Sequence, residues 1–540
     1  MTEYVLTAID TTQIQGYVFG SNKLRENIGG SELVELATHR WVYEALPAAH
    51  NVVDVTTGEF DDGRTIEALD AEVIYAGGGN TVILFRTMDL ARTFTSRLTR
   101  RVLREAPGLE VVAAHRRFTW ETEALADVVS ETLGVDLARK KQNRTPPLLL
   151  LGLGVTMPCN STGLVASQIV EKKSVSQEIK IKSDDRIQAQ SLGRLKAKMP
   201  RVERGDWEIP ADFDDLGRIK GEESYIAIVH ADGNGMGKRV EAIAERHNTP
   251  AQNRAYILAI RNFSHSLERA ATQALQKVVD LIADAYSADP DLAERHERKF
   301  PLRPIVFGGD DVTFVCHGSY GLALAVKYLE AFEEATKRES AFDGKPVTAC
   351  AGVAIVKTHY PFARAYRLSE ELCRSAKQML KQEGIDGSAL DWHIAMSGIT
   401  GSLEEIRQRE YTVKLGLLHM RPVVLRESTR TWRSWPTFKT LLDRFTAKDG
   451  EWFDRRNKVK ALREALREGE SAVQEFRRSY QLDSLPTART INDVSYGKTG
   501  WAGNRCVYFD AIEMMDFFTD LQGIVEGFRG DQEEAEHASV

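Results

Sequence analysis

Gly308-Gly309-Asp310-Asp311 stands at a turn between two strongly apolar runs, 304–307 and 312–315. A tight hairpin asks for glycine backbone freedom, which accounts for the glycines but not for the paired acids. Two adjacent carboxylates repel each other. Setting them beside Asp232, which ends the apolar run 225–230, is costly unless divalent cations neutralise the group. Magnesium, or manganese in its place, takes oxygen ligands and keeps several waters, so three carboxylates facing a triphosphate suit it. In two-metal chemistry one ion lowers the pKa of an attacking hydroxyl while the other steadies the leaving pyrophosphate oxygens. The plain alternative for the turn taken alone is a solvated acidic loop; the strand-end Asp232 favours the metal.

The segment Asp232-Gly233-Asn234-Gly235-Met236-Gly237-Lys238 invites a phosphate-loop reading but does not match one. Arg239 follows the lysine where G-x-x-x-x-G-K-[ST] needs a hydroxyl, and the alternating glycines do not fit G-x-G-x-x-G. What survives is a flexible turn whose backbone amides approach a triphosphate closely, with a plain glycine turn as the alternative.

The elements that must position these residues come in two blocks of the same order. The first has a strand ending at Asp10, a helical pattern around 31–37, a hairpin with Gly77-Gly78-Gly79-Asn80 at its tip, a helix over 89–105 and a strand over 109–118. The second has a strand ending at Asp232, a long helix over 253–285, the Gly308–Asp311 hairpin, a helix over 320–337, a strand over 347–356 and a helix over 362–381. Strand, helix, hairpin, helix, strand is the order of a ferredoxin-like sheet, and a repeat of long period predicts a duplicated domain. The fold class expected is α+β: two ferredoxin-like palm domains, an insertion between them and a helical carboxy-terminal domain. The boundaries expected are 1–135, 136–222, 223–400 and 401–530, with 531–540 a disordered acidic tail.

The 540 residues are 42% hydrophobic and 28% charged with a formal net charge of -7, an ordinary globular composition that argues against a general nucleic-acid coat. That charge is segregated. Residues 139–204 hold 14 Lys+Arg against 5 Asp+Glu, and residues 404–480 hold 18 against 12, so the rest of the chain is strongly acidic. Either basic stretch faces RNA or a neighbouring subunit, or is simply a solvated surface. Pro146, Pro147 and Pro158 punctuate the first stretch, and Phe453, Val459, Leu462, Leu466 and Phe476 are expected on one face of a helical segment over 451–480. No apolar run approaches the ~20 residues of a membrane span, and the amino terminus opens as a strand, so no membrane partner and a cytoplasmic location are expected. The five cysteines, Cys159, Cys316, Cys350, Cys373 and Cys506, form no C-x-x-C pair, and no histidine precedes an aspartate. Zinc and histidine-aspartate metal chemistry are therefore not expected.

The strand-end ADGNGMG, the hairpins FGGDD and YAGGGN, the opening AIDTTQIQGYVFGSNKLRENIGGSELV and the late DWHIAMSG resemble the large subunit of type III CRISPR effector complexes. The likeness covers residues 1–400 in order and, more weakly, the CVYFDAIEMMDFF segment near the carboxy terminus. It implies a palm pair that converts ATP into cyclic oligoadenylate, working with other effector subunits, guide RNA and target RNA. By the same resemblance Asp232, Asp310 and Asp311 hold the metal ions and Gly308 and Gly309 let the backbone approach the phosphates, while Gly233 is expected to do so from the turn after the strand. Lys377 resembles a triphosphate-binding lysine, Ser264 and Ser31 resemble serines that contact adenine, and Gly78, Gly79 and Asn80 are expected to bind a nucleotide in a palm without the acid pair. A solvated lysine and unremarkable helix-surface serines are the alternatives. The sequence departs from the family in lacking a histidine-aspartate nuclease domain and in keeping only Cys159 where a four-cysteine module stands. Two other functions stay open: a stand-alone nucleotide cyclase or conjugate synthase independent of guide RNA, and a nucleotide-binding scaffold without turnover.

Overall fold

The computed structural model describes residues 1–143, 153–170, 172–217, 224–396, 401–448 and 450–538, with side chains described to residue 529. Pro146 and Pro147 lie outside the described residues.

The first sheet is built from β1 (Glu3–Thr12), β2 (Ala71–Gly77), β3 (Asn80–Phe85) and β4 (Glu110–Thr119), backed by α1 (Leu24–Thr38) and α2 (Met88–Glu105). Its strands lie in the order β2-β3-β1-β4, all antiparallel. Val5, Leu6, Ile83, Leu84 and Phe85 are buried, as apolar strands covered on both faces should be. Helix α2 holds itself against the sheet through Ala91, Phe94, Leu98 and Val102 at helical spacing. Burying each of the three larger side chains contributes ~1.5–3 kcal/mol.

An insertion follows, with the short helix Gln177–Lys182 and α3 (Asp185–Lys198), whose Asp184 caps the amide of Arg186. The second palm comprises β5 (Tyr225–Gly233), α4 (Met236–Arg246), α5 (Asn253–Ala288), β6 (Leu302–Gly308), β7 (Asp311–His317), α6 (Gly321–Arg338), β8 (Ala349–Lys357), α7 (Phe362–Glu383) and β9 (Ala389–Ala395). Its first four strands take the order β6-β7-β5-β8, the same antiparallel arrangement as the first palm; β9 then adds parallel to β8 and β10 (Val423–Val424) antiparallel to β9.

The duplication reaches the register. Asp10 stands opposite Asn80 as Asp232 stands opposite Asp311, and Gly77 opposite Asn80 as Gly308 opposite Asp311. Each hairpin carries a bulge at the same distance from its tip, between Val73 and Tyr75 in one and Pro304 and Val306 in the other. The carbonyl of each bulge is held by the opposite palm: Ser31 Oγ donates to Ile305 O at 2.5 Å, and Arg261 Nε donates to Ile74 O at 3.3 Å. The cores merge as well, since Ile226, Ile228 and Ile305 pack in one cluster with Val5, Ile9 and Ile83.

Beyond residue 400 the chain is less uniformly helical than its sequence predicts. Helices α8 (Trp435–Thr446), α9 (Arg456–Glu468), α10 (Glu470–Ser479) and α11 (Leu521–Ala538) are present, but so is a small sheet of the two-residue strands Thr412–Val413, Gly416–Leu417, Arg505–Cys506 and Trp501–Ala502. The expected single face over 451–480 breaks at Gly469, whose φ of 111° ends α9. Val459, Leu462, Leu466 and Phe476 are buried, whereas Phe453, before the helix, is 46% exposed. The backbone expected to be a disordered tail is helical as far as Ala538; Gln, Glu and Ala are strong helix formers, and low apolar content does not by itself stop a helix.

Candidate functional site

Both hairpin tips open into one cleft of about 420 Å³ between the palms. Nine of the residues singled out in the sequence line it: Ser31, Gly78, Gly79, Asn80, Ser264, Gly308, Gly309, Asp310 and Asp311. Asp232, Gly233 and Lys377 stand behind it, at the end of β5 and on α7.

Gly78 (φ 60°) and Gly309 (φ 64°) need glycine for the turn itself. Gly308 has no such need, and a Cβ there would meet nothing within 4 Å. Its missing side chain leaves free space rather than relieving strain, which is what close approach of a ligand to the backbone requires. Gly233 is a different case. A Cβ on it would lie 2.8 Å from Asp310 Cβ, and its N–H donates to Asp310 O at 3.2 Å. The first palm repeats that backbone bond with the side chains exchanged: Thr11 N–H and Oγ1 both donate to Gly79 O at 3.0 Å, and a Cβ on Gly79 would lie 2.9 Å from Thr11 Oγ1. Gly79, at φ 86°, is held to glycine by its backbone as well, whereas in the second palm the bare Gly233 leaves the space to the acid.

The three carboxylates are unequal. Asp232 Oδ2 accepts from Lys377 Nζ at 2.6 Å, and the same ammonium donates to Gly233 O at 2.9 Å. Burial works against the lysine charge, but contact with Asp232 outweighs it and raises its pKa above the usual lysine range. Asp311 has no such partner: its Oδ1 is buried without a hydrogen bond. The nearest base, His230 Nδ1 at 3.4 Å, is already engaged with Thr313 Oγ1 at 3.1 Å, and burial lowers its pKa towards the neutral imidazole. Burial, then the charges of Asp232, Asp310 and Glu370, push the Asp311 carboxyl up to about 8. Burial and Asp232 raise Asp310 as well. Among the described residues no three His, Cys, Asp or Glu side chains converge closely enough, as they stand, to hold a metal ion. Even so, an orphaned buried carboxylate oxygen beside two further acids is the donor set a hard divalent cation completes, so the residues fit magnesium or manganese.

In the first palm Asp10 is paired with Lys141 of the basic stretch, and Asn80 offers no charge. Ser31 has committed its one hydrogen to Ile305 O and presents only acceptor lone pairs, whereas Ser264 Oγ has no hydrogen-bond partner among the described residues. Sequence reasoning missed several lining residues. Glu35 and His39 pair at 3.2 Å, which raises the histidine pKa despite burial. Arg194 and Lys198 of α3 lie over the Phe307 ring at 4.6 and 5.2 Å and are paired with Glu32 of the first palm and Glu268 of the second. Their i, i+4 spacing was the available signal, but nothing in the sequence said that this helix spans both palms. Cys159 is buried with Val175 and Ile179, away from the cleft.

Residues 225–385 match the family model for the second palm domain of Cas10/Cmr2. No curated protein matches the sequence. Among solved structures the chain resembles the Csm1–Csm4 cassette in complex with cA4, at 13% identity and a TM-score of 0.51, covering 97% of this chain and 70% of that one. The same cassette with pppApApA matches at 12% identity and 0.52, covering 97% and 69%, and with AMPPNP at 14% and 0.51, covering 95% and 69%. Residues 225–385 are therefore a second palm domain of the Cas10/Cmr2 kind, carried in a chain whose fold is that of the chain matched in the Csm1–Csm4 cassettes.

Proposed function

We propose that the chain is the nucleotidyltransferase subunit of an RNA-guided type III effector complex, joining ATP molecules into cyclic oligoadenylate across the palm–palm cleft when target RNA is bound. The observation that carries this reading is the asymmetry of two superimposable hairpins facing one cleft: one presents Asp310 and Asp311 with Asp232 behind them, the other Gly79 and Asn80. Asp232, Asp310 and Asp311 would hold the metal ions, which activate the attacking hydroxyl and neutralise the leaving pyrophosphate.

The chain's own residues do the rest. Gly308 and Gly309 leave the second hairpin bare, so its backbone admits the triphosphate of the donor nucleotide. Lys377 balances Asp232 behind the cleft and would meet the incoming phosphates from there. Ser264 and Ser31 face the two nucleotides with different capacity, one able to donate and accept, the other only to accept. The first palm, without a carboxylate cluster, positions the acceptor nucleotide. Its ribose hydroxyl oxygen bonds to the donor α-phosphorus, the bond to the β-phosphate oxygen breaks, and pyrophosphate leaves. Other effector subunits and guide and target RNA are the partners this reading requires.

Incubating the chain with labelled ATP and magnesium, alone and with its RNA-loaded partner subunits, tests the reading. RNA-dependent oligoadenylate is expected. RNA-independent product would make it a stand-alone synthase, and no product under either condition a nucleotide-binding scaffold.

A further inference from the structure

The outer face of α2 has no role in the cleft, yet it carries an unusual charge arrangement. The helix holds Arg92, Arg97, Arg100, Arg101 and Arg104 against only Asp89 and Glu105. Its inner stripe is fully used in packing, and Arg101 is paired with Glu44 and Glu105. Arg97, Arg100 and Arg104 are exposed and have no ion-pair partner among the described residues. They follow one another along one side of the helix, separated by about 4.5 and 6 Å along its axis. Like charges at these spacings repel, so the row persists at a cost to the helix that a bound anion would remove.

The row runs into a groove of about 660 Å³ between the first palm and the insertion. Arg40, Arg101, Arg104, Lys180 and Arg186 line it with Glu105 and Asp184. Arg40 and Arg101 are paired with Glu44 and Arg186 with Asp184, which leaves Arg104 and Lys180 as the groove cations without an ion pair among the described residues. All this belongs to a chain whose net charge is -7.

We propose that the Arg97–Arg100–Arg104 row and the adjoining groove form a docking track for single-stranded RNA, held by its phosphates. Guanidinium groups match phosphate oxygens bidentately, and a line of charges leading into a narrow groove suits one strand better than the two-sided cradle a duplex fills. An acidic protein partner fits less well. A protein interface centres on buried aromatic or apolar anchors, and Leu103, at 74% exposed, is the only large apolar side chain this helix exposes. The choice of RNA as the strand rests on the function proposed above; the anion track itself does not.

Fluorescence anisotropy of the full chain with a labelled single-stranded RNA of about 20 nucleotides tests the proposal, each phosphate contact contributing about 0.7 to the salt slope. The R97Q/R100Q/R104Q variant is expected to bind at least tenfold more weakly, with a slope of log affinity against log salt shallower by about 2. The R97K/R100K/R104K variant should keep most of that slope, which separates lost charge from a damaged helix. Unchanged affinity and slope in the glutamine variant would overturn the track, as would absence of RNA binding by the wild type. Poly-glutamate binding as tightly as RNA, and lost to the same extent in the variant, would assign the row to an acidic protein instead. Binding of a non-hydrolysable ATP analogue is measured alongside: the variant should retain it, and its loss in the wild type would count against the cleft, not the track.

Discussion

The exchange of side chains between Thr11/Gly79 and Gly233/Asp310 makes a quantitative prediction. A Cβ on Gly233 would sit 2.8 Å from Asp310 Cβ, whereas carbon atoms rest at about 3.5–4.0 Å. Gly233→Thr must therefore push the acid away by roughly 0.7 Å or more, an overpacking that costs about 1–3 kcal/mol. Met236 Cε, equally close at 2.8 Å, is the end of a flexible side chain and can yield. Asp310→Gly removes the obstacle and recreates the first palm's pairing. In that background Gly233→Thr should cost less than about 1 kcal/mol, giving a coupling energy of ~1–2 kcal/mol between neighbours in contact. Urea denaturation of wild type, both single variants and the double variant measures it. Activity should not follow stability. Gly233→Thr displaces Asp310, the acid proposed to hold metal, by most of an ångström and should lower synthesis about 100-fold, while the double variant should fold well and make nothing. Additive stabilities within about 0.5 kcal/mol would refute the claim that the second palm allows only one side chain at this pair.

Gly308→Ala, with an ordinary φ and nothing within 4 Å of the new Cβ, should leave the melting temperature unchanged and weaken binding of an ATP analogue; unchanged binding by calorimetry would mean that the bare hairpin is not a phosphate surface. The buried Oδ1 and the neighbouring acids push the Asp311 carboxyl up to about 8 in the native chain, although 44% of the side chain is exposed and solvent screens part of the effect; the unfolded carboxyl releases its proton near 4, so the metal-free protein loses stability as pH rises between these values. Asp311→Asn should therefore raise its melting temperature at pH 8 and not at pH 4, and magnesium binding at pH 7 should release close to one proton from this group, read from calorimetry in two buffers. Arg407 Nη2 donates to the fully buried Asp391 at 2.6 Å and Nη1 to Ser375 Oγ at 3.1 Å; Arg407→Met strands that carboxylate and should cost about 3–5 kcal/mol in a denaturation curve.

Much of this site was legible because its chemistry coincides with turns. Gly308 to Asp311 interrupts two apolar runs, and Asp10 and Asp232 each end one, so the hairpins and their register partners could be placed from pattern alone. Residues that reach the cleft from elements remote in the chain could not. Arg194 and Lys198 sit on a helix whose position depends on packing against α1, and the short helix just before it meets α1 so closely that a Cβ on Gly29 would strike Lys182 O. The pairing of Lys377 with Asp232, and of Lys141 with Asp10, likewise depends on tertiary placement. Past residue 400 the two-residue strands are too short to leave an alternating pattern, and Gly469 divides a segment whose periodicity on either side reads as one helix.

In the function proposed here, the hairpin acids of one palm make the cleft a nucleotide-joining site. Mass spectrometry of the products formed from ATP and magnesium by the RNA-loaded complex, with wild type beside an Asp310→Ala/Asp311→Ala variant of unchanged melting temperature, tests it most directly. The wild type should yield pyrophosphate and phosphodiester-linked adenylates, and the variant neither. Equal product from both, or none from the wild type, would contradict it.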